Sequence, residues 1–333
     1  MGKGNKMNRY DRQISVAEFG ADGQKKLAAA TILVVGAGGL ASPVLQYLAG
    51  AGLGHIKVMD YDIVSVNNMH RQTIFRTDDL GLAKAGAAAT NMRGLNPDCL
   101  MTPIIEPLTP DNIETYASDV DLVLDCADSF AVSYSLSDYC LNRLPLIHAS
   151  VVGTVGYVGG FCYNAPSLRA VFPDLPKRFG SCAEDGVLGP IVGIIGSLQA
   201  QMTLAVITKQ LSSSLGQLVT YDAIGNRFGG FRFDGVEEPD AALAFISPLQ
   251  LKSGDLVIDL RTADEADLIT TDAQRLGIDQ ITPDLPLKGI RRVVLCCRSG
   301  QRAWAAAEKL SGFWSGSISL IAAGDPNLMQ KRG

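Results

Sequence analysis

The sequence predicts an α/β protein in two parts: a larger nucleotide-binding domain on a mixed sheet, then a smaller α/β domain. Three observations carry this. From Thr31 the chain runs TILVV, GAGGLAS, PVLQYLAGAGLG and HIKVMD, which reads as buried strand, Gly-rich turn, helix and second strand. Further on, DLVLDC is another buried run, and GTVGYVGGFCYN alternates like a half-exposed antiparallel strand. After residue 245 a strand, tight turn and helix start afresh in RRVVLCCRSGQRAWAAAEKL.

Taken in order, the first four segments form the opening βαβ unit of a Rossmann-like domain, and DLVLDC and LIHAS continue its sheet. Helical periodicity returns from Pro190 to about Leu211, and LVTYDAIGNRFGGFRF reads as a hairpin. The acidic, turn-rich FDGVEEPDAALAF reads as a linker. The expected boundaries are therefore 7–233 for the first domain, 234–245 for the linker and 246–330 for the second domain.

Of 333 residues, 47% are hydrophobic and 19% charged, the balance of a globular chain. A net charge of −5 leaves no basic footprint, so nucleic acid is not expected as a partner. The N-terminal MGKGNKMNRYDRQ is polar and lacks the pattern of a secretory signal. No run is expected to span a bilayer; GVLGPIVGIIGSLQAQMTLAVI reads as a buried loop-to-helix segment. Seven cysteines without C-x-x-C spacing suggest reduced thiols in a cytoplasmic protein and no structural zinc in local sequence.

GAGGLA, Gly36 to Ala41, stands between a strand and a helix. Small residues there let the backbone approach a phosphate, and the helix N-terminus adds N–H groups and a positive dipole. Asp60, closing the next strand, is placed to bind ribose hydroxyls. Past it, MDYDIVSVNNMHRQTIF gathers Asp60, Asp62, Asn67, Asn68, His70, Arg71 and Gln72, with Lys84 following in GLAKAG. Cations beside a Gly-rich turn suit a nucleoside triphosphate better than a redox cofactor. A nicotinamide-dependent oxidoreductase remains a second reading, although no hydride-handling centre is visible.

These residues resemble the ThiF/MoeB/HesA family, bacterial relatives of ubiquitin-activating enzymes. RYDRQ, GAGGLA, the run from Asp60 to Gln72, Lys84, D-C-x-D at Asp125 to Asp128, and GSCAEDGVLGP carry the resemblance in order. It implies ATP-dependent adenylation of the C-terminal Gly-Gly carboxylate of a ubiquitin-like sulfur carrier, ThiS- or MoaD-like, as in thiamine or molybdopterin synthesis. That carboxylate is already ionised at neutral pH, so the task is electrostatic: positioning two anions and stabilising developing charge. By resemblance Arg71 and Lys84 hold the phosphates, Asn68 and Gln72 add hydrogen bonds, and Asp60 and Asp62 belong to the nucleotide site with Gly36, Gly38 and Gly39. Asp128 is expected to hold Mg²⁺. Arg12 matches an arginine that reaches across a homodimer into the partner's ATP site. A non-catalytic carrier-binding scaffold, the third reading, would need none of Arg12, Arg71, Lys84 and Asp128.

Four departures from the family pattern stand out. Ala41 replaces the last loop glycine, and Ser129 and Ser133 replace the Asn and Arg that commonly follow Asp128. Where relatives carry the first zinc-binding cysteine pair, this chain has Ser167 and Ala170, so zinc is not expected. Cys182, in GSCAEDGVLGP, matches a cysteine that bonds the carrier covalently in some relatives and is dispensable in others.

In the second domain, CRSGQR and DLRTADE resemble a rhodanese-like sulfurtransferase domain. The resemblance makes Cys297 the carrier of a sulfane sulfur, with Arg298 and Arg302 beside it and a cysteine desulfurase as donor. A cysteine at the head of such a loop has N–H groups around its sulfur, which favours the anion. Cys296 is expected to point into the core. The domain is short and lacks an H-I-x-G-A stretch, so a docking module is the other reading.

Overall fold

The computed structural model describes residues 9–174, 186–209 and 213–324. Two short helices, α1 (Asp11–Ile14) and α2 (Gly20–Ala29), lead into β1 (Thr31–Val35), α3 (Ala41–Gly50) and β2 (His55–Met59). There follow α4 (Lys84–Leu95), β3 (Leu100–Ile104), α5 (Ile113–Ala117), β4 (Leu122–Asp125), α6 (Phe130–Cys140) and β5 (Leu146–Val152). The first domain ends with β6 (Val155–Phe161), α7 (Leu168–Val171), α8 (Gly189–Thr208), β7 (Gln217–Asp222) and β8 (Arg227–Arg232).

These eight strands form one mixed sheet in the order β3-β2-β1-β4-β5-β6-β7-β8. The five from β3 to β5 run parallel, and β6, β7 and β8 add antiparallel. β1 is apolar throughout because both its faces are covered: Ile32 and Val34 join one core, Leu33 and Val35 the other. From β1 the chain first builds outward to β2 and β3, then returns to β4 on its other side. That switch opens a crevice beyond the carboxyl ends of β1 and β4, the place where open α/β sheets bind ligands.

Between Lys84 and DLVLDC the sequence reading assigned no elements, yet α4, β3 and α5 lie there. β3 is an edge strand whose LMTPI carries Pro103, and α4 is alanine-rich with little contrast between its faces. α8 is the buried helix that its sequence suggests. Its 20 residues are long and apolar enough to cross a membrane by length and composition alone. The helix instead packs on α3, β5 and β6, with Ile191, Val192 and Ile195 in the core.

The second domain comprises β9 (Ala244–Phe245), β10 (Leu256–Asp259), β11 (Gln274–Arg275), β12 (Arg292–Cys297), α9 (Gln301–Ser311) and β13 (Ser317–Ala322). Its sheet is all parallel, ordered β11-β10-β12-β13-β9. The linker boundary moves accordingly: Ala244 and Phe245 pair with Ser319 and Leu320, so they belong to this sheet. Period-two alternation along β12 sends Cys297 into the core with Leu295 and Trp304, and Cys296 to the opposite face with Val294 and Ile321.

The two domains pack directly. Ala131 and Tyr134 of α6 belong to the same apolar cluster as Phe245, Cys297 and Trp304. Phe130 and Phe245 meet edge to face with centroids 5.7 Å apart, and Tyr134 lies 5.3 Å from Trp304. Buried Arg169 holds the seam. It pairs with Asp138 at 2.5 Å, donates to the Leu243 carbonyl at 2.9 Å and lies 4.7 Å over the Tyr134 ring. Beside it, Ser167 donates to the Glu238 carboxylate from both its N–H and its Oγ.

Candidate active site

A cavity of about 440 Å³ fills the crevice beyond β1 and β4. Its wall brings together Gly36, Gly38, Gly39, Asp60, Asp62, Arg71, Gln72, Lys84 and Asp128, all expected from the sequence. Arg12 and Asn68 stand apart. Arg12 is exposed on α1 and Asn68 accepts from Ser65, and neither lines the cavity of its own chain. Cys182 lies outside the described residues.

The glycines serve different purposes. Gly36 has φ +92°, and a Cβ there would sit 2.7 Å from the Cys126 carbonyl, so strand packing demands it. At Gly39 a Cβ would meet Val192 of α8 at 2.8 Å. Gly38 instead leaves ordinary room, its nearest neighbour being Gln72 Nε2 at 3.6 Å. This bare backbone at the mouth of α3 is where phosphate oxygens fit.

Asp60 is fixed by two backbone donors, Ala37 N–H and Asp62 N–H, each at 2.8 Å. Burial pushes its carboxyl above the usual range, partly offset by those hydrogen bonds. Each carboxylate oxygen can accept a further hydrogen bond, as a ribose diol would supply. Lys84, buried at the start of α4, is held 2.6 Å from Asp62 Oδ2. Gln72 Oε1 is buried without a hydrogen-bond partner, a cost tolerated where a side chain is held ready for a ligand.

Asp128 follows a turn pinned from beneath. Asp125 Oδ1 accepts the Ala127 N–H at 3.0 Å, and its Oδ2 lies 2.7 Å from His148 Nδ1. Gln199 of α8 donates to the Asp125 carbonyl at 2.8 Å. No group of three or more His, Cys, Asp or Glu able to hold a metal occurs among the described residues. A cation at Asp128 could take further oxygen ligands from a bound nucleotide, as Mg²⁺ on a triphosphate does.

The sequence reading missed part of this wall. Glu106 to Pro110 line it from the loop after β3, and Val132 and Val192 come from α6 and α8. The loop could not be placed without recognising β3. More consequential is the far wall, where Phe245, Ile246, Arg298, Ser299, Ala322 and Gly324 come from the second domain. There the Cys297 Sγ accepts the N–H groups of Gly300 at 3.1 Å and Ala303 at 3.4 Å. Arg302 pairs with Glu265 at 2.6 Å and donates to the Leu260 carbonyl, bracing the loop.

The ThiF family pattern matches residues 10–240. Adenylyltransferase and sulfurtransferase MOCS3 of Xenopus laevis is 37% identical over 238 residues, 70% of this chain and 53% of that protein. The SAMP-activating enzyme E1 of Haloferax volcanii is 35% identical over 225 residues, covering 67% of this chain and 83% of that protein. The chain spans about half the length of the MOCS3 relative. Among solved structures, E. coli MccB with MccA-N7isoASN shares the fold at a TM-score of 0.63 and 19% identity, covering 71% of this chain and 74% of that one.

Proposed function

The chain belongs to the ThiF family, and from that premise we propose that it adenylates the C-terminal Gly-Gly carboxylate of a ubiquitin-like sulfur carrier protein with Mg-ATP. The observation that carries this is the single cavity joining bare Gly38, Asp60, Arg71, Gln72, Lys84 and Asp128. Asp60 takes the ribose, while Arg71, Lys84 and the α3 N-terminus face the phosphates. The carrier carboxylate attacks the α-phosphorus and pyrophosphate leaves, with no general base required. Asp128 would hold Mg²⁺, which would supply charge neutralisation at the phosphates. Arg12, exposed on α1, fits a homodimer in which it completes the partner's site. The six described cysteines are free and buried, which suits a reducing cytoplasm.

Sulfur transfer is the second activity. Two backbone N–H groups donate to the Cys297 sulfur, an arrangement in keeping with a sulfur carrier loaded by a desulfurase. The deciding experiment incubates the protein with Mg-ATP and purified carriers ending in Gly-Gly, followed by intact-mass spectrometry. An AMP adduct on one carrier is expected, and Asp128→Ala should abolish it while sparing carrier binding. Carriers left unmodified by a protein that binds ATP would return the scaffold reading.

A further inference from the structure

The cavity has two walls from two domains. On one side lie the Gly-rich turn, Arg71 and Lys84; on the other lie Arg298 and Ser299, from the loop that encloses Cys297. The second domain reaches this position through a built contact. Gly300 of the loop is so close to Phe245 and Phe130 that a Cβ there would fall 2.7 Å and 3.2 Å from their rings. Phe130 opens α6 only two residues after Asp128. The loop is therefore held beside the turn that carries Asp128, and its backbone is tied to β13's end by Gly324 N–H donating to the Arg298 carbonyl at 2.9 Å.

The charges in this cavity are unevenly placed. Asp60, Asp62, Glu106 and Asp128 bring carboxylates to a site meant for a polyanion. Lys84 is already paired with Asp62. Arg71 and Arg298 line the cavity from opposite domains.

We propose that the CRSGQR loop belongs to the adenylation site as well as to sulfur chemistry, with Arg298 binding the anionic nucleotide from the second domain of the same chain. This rests on the adenylation reading and adds a residue to it. An arginine that served only the Cys297 sulfur would leave adenylation untouched. One that binds nucleotide must show itself before any sulfur is present.

The test uses the full chain without a sulfur donor. Mg-ATP binding is measured by calorimetry, and pyrophosphate exchange is measured with a Gly-Gly carrier, for the parent, Arg298→Gln, Arg298→Lys and Ser299→Phe. Arg291→Gln, an exposed charge before the other end of β12, is the control. Arg298→Gln should weaken ATP binding or raise its KM about tenfold, the size of one charged hydrogen bond lost. Arg298→Lys should recover part of this, and Ser299→Phe should weaken binding by bulk, with Arg291→Gln at the parent value. Parent-like ATP binding and exchange in Arg298→Gln and Ser299→Phe would overturn the proposal and leave the adenylation reading standing. A parent that binds no ATP would overturn both.

Discussion

Lys84 Nζ lies 2.6 Å from Asp62 Oδ2, so the buried cation facing the cavity is aimed by a carboxylate before substrate arrives. Lys84→Met should lower pyrophosphate exchange by about a hundredfold to a thousandfold, leaving a measurable residual rate. Asp62→Asn, which loosens the ammonium without removing it, should lower exchange about tenfold. The double variant should be no worse than Lys84→Met alone, the mark of residues acting as a unit. Additive losses would show that Asp62 acts separately from Lys84.

Gly39 gives a packing test. Its added methyl would lie 2.8 Å from Val192 Cγ1, so Gly39→Ala should destabilise the protein by about 1–3 kcal/mol and weaken ATP binding. Gly39→Ala with Val192→Ala should restore most of both, measured by thermal melting and calorimetry. A double variant as damaged as the single one would mean that the methyl blocks the ligand instead.

Asp60 sets an acid limit on nucleotide binding. Burial raises its carboxyl above the usual value. Its contribution therefore favours folding at low pH and is lost as pH rises through the raised value, so the ionised group is kept at a cost in stability. As pH falls, protonation should remove a ribose acceptor, and the KM for ATP should climb while pH is still above the ordinary carboxylate range. In Asp60→Asn that dependence should vanish. The same acid limb in the variant would assign the titration elsewhere.

Glu265 has the opposite sign. The hydrogen bond from Arg302 lowers its carboxyl from 4.5 to about 2. The pair's stabilisation is thus present above the unfolded value and disappears as pH falls through about 2. Glu265→Gln should flatten the dependence of melting temperature on pH across that window and lower sulfur-transfer activity at neutral pH by loosening Arg302. Parallel melting curves for parent and variant would show that the latch contributes nothing.

Much of the site was legible because its residues are close in sequence. Asp60 to Gln72 follow a single strand, and Lys84 opens the next helix, so a βαβ pattern was enough to gather them. Strand alternation was enough to face Cys296 and Cys297 in opposite directions, but not to show that Cys297 would be as fully buried as Cys296. Harder to read were β3 and its Glu106 to Pro110 loop, because an edge strand with a proline carries little apolar signal.

What the sequence determined by itself was local: two α/β domains, a Gly-rich turn, and the acids and cations after it, each set by short-range periodicity and turn chemistry. Tertiary structure alone decided that Asp125, His148 and Gln199 pin the turn before Asp128, since they come from separate elements. It alone also decided that Arg298 and Ser299 share a cavity with Gly38, more than 250 residues earlier. That juxtaposition depends on how Phe130, Tyr134 and Arg169 bury Phe245 and Trp304. Such packing is chosen by the shape of two finished surfaces, and no periodicity within either segment encodes it.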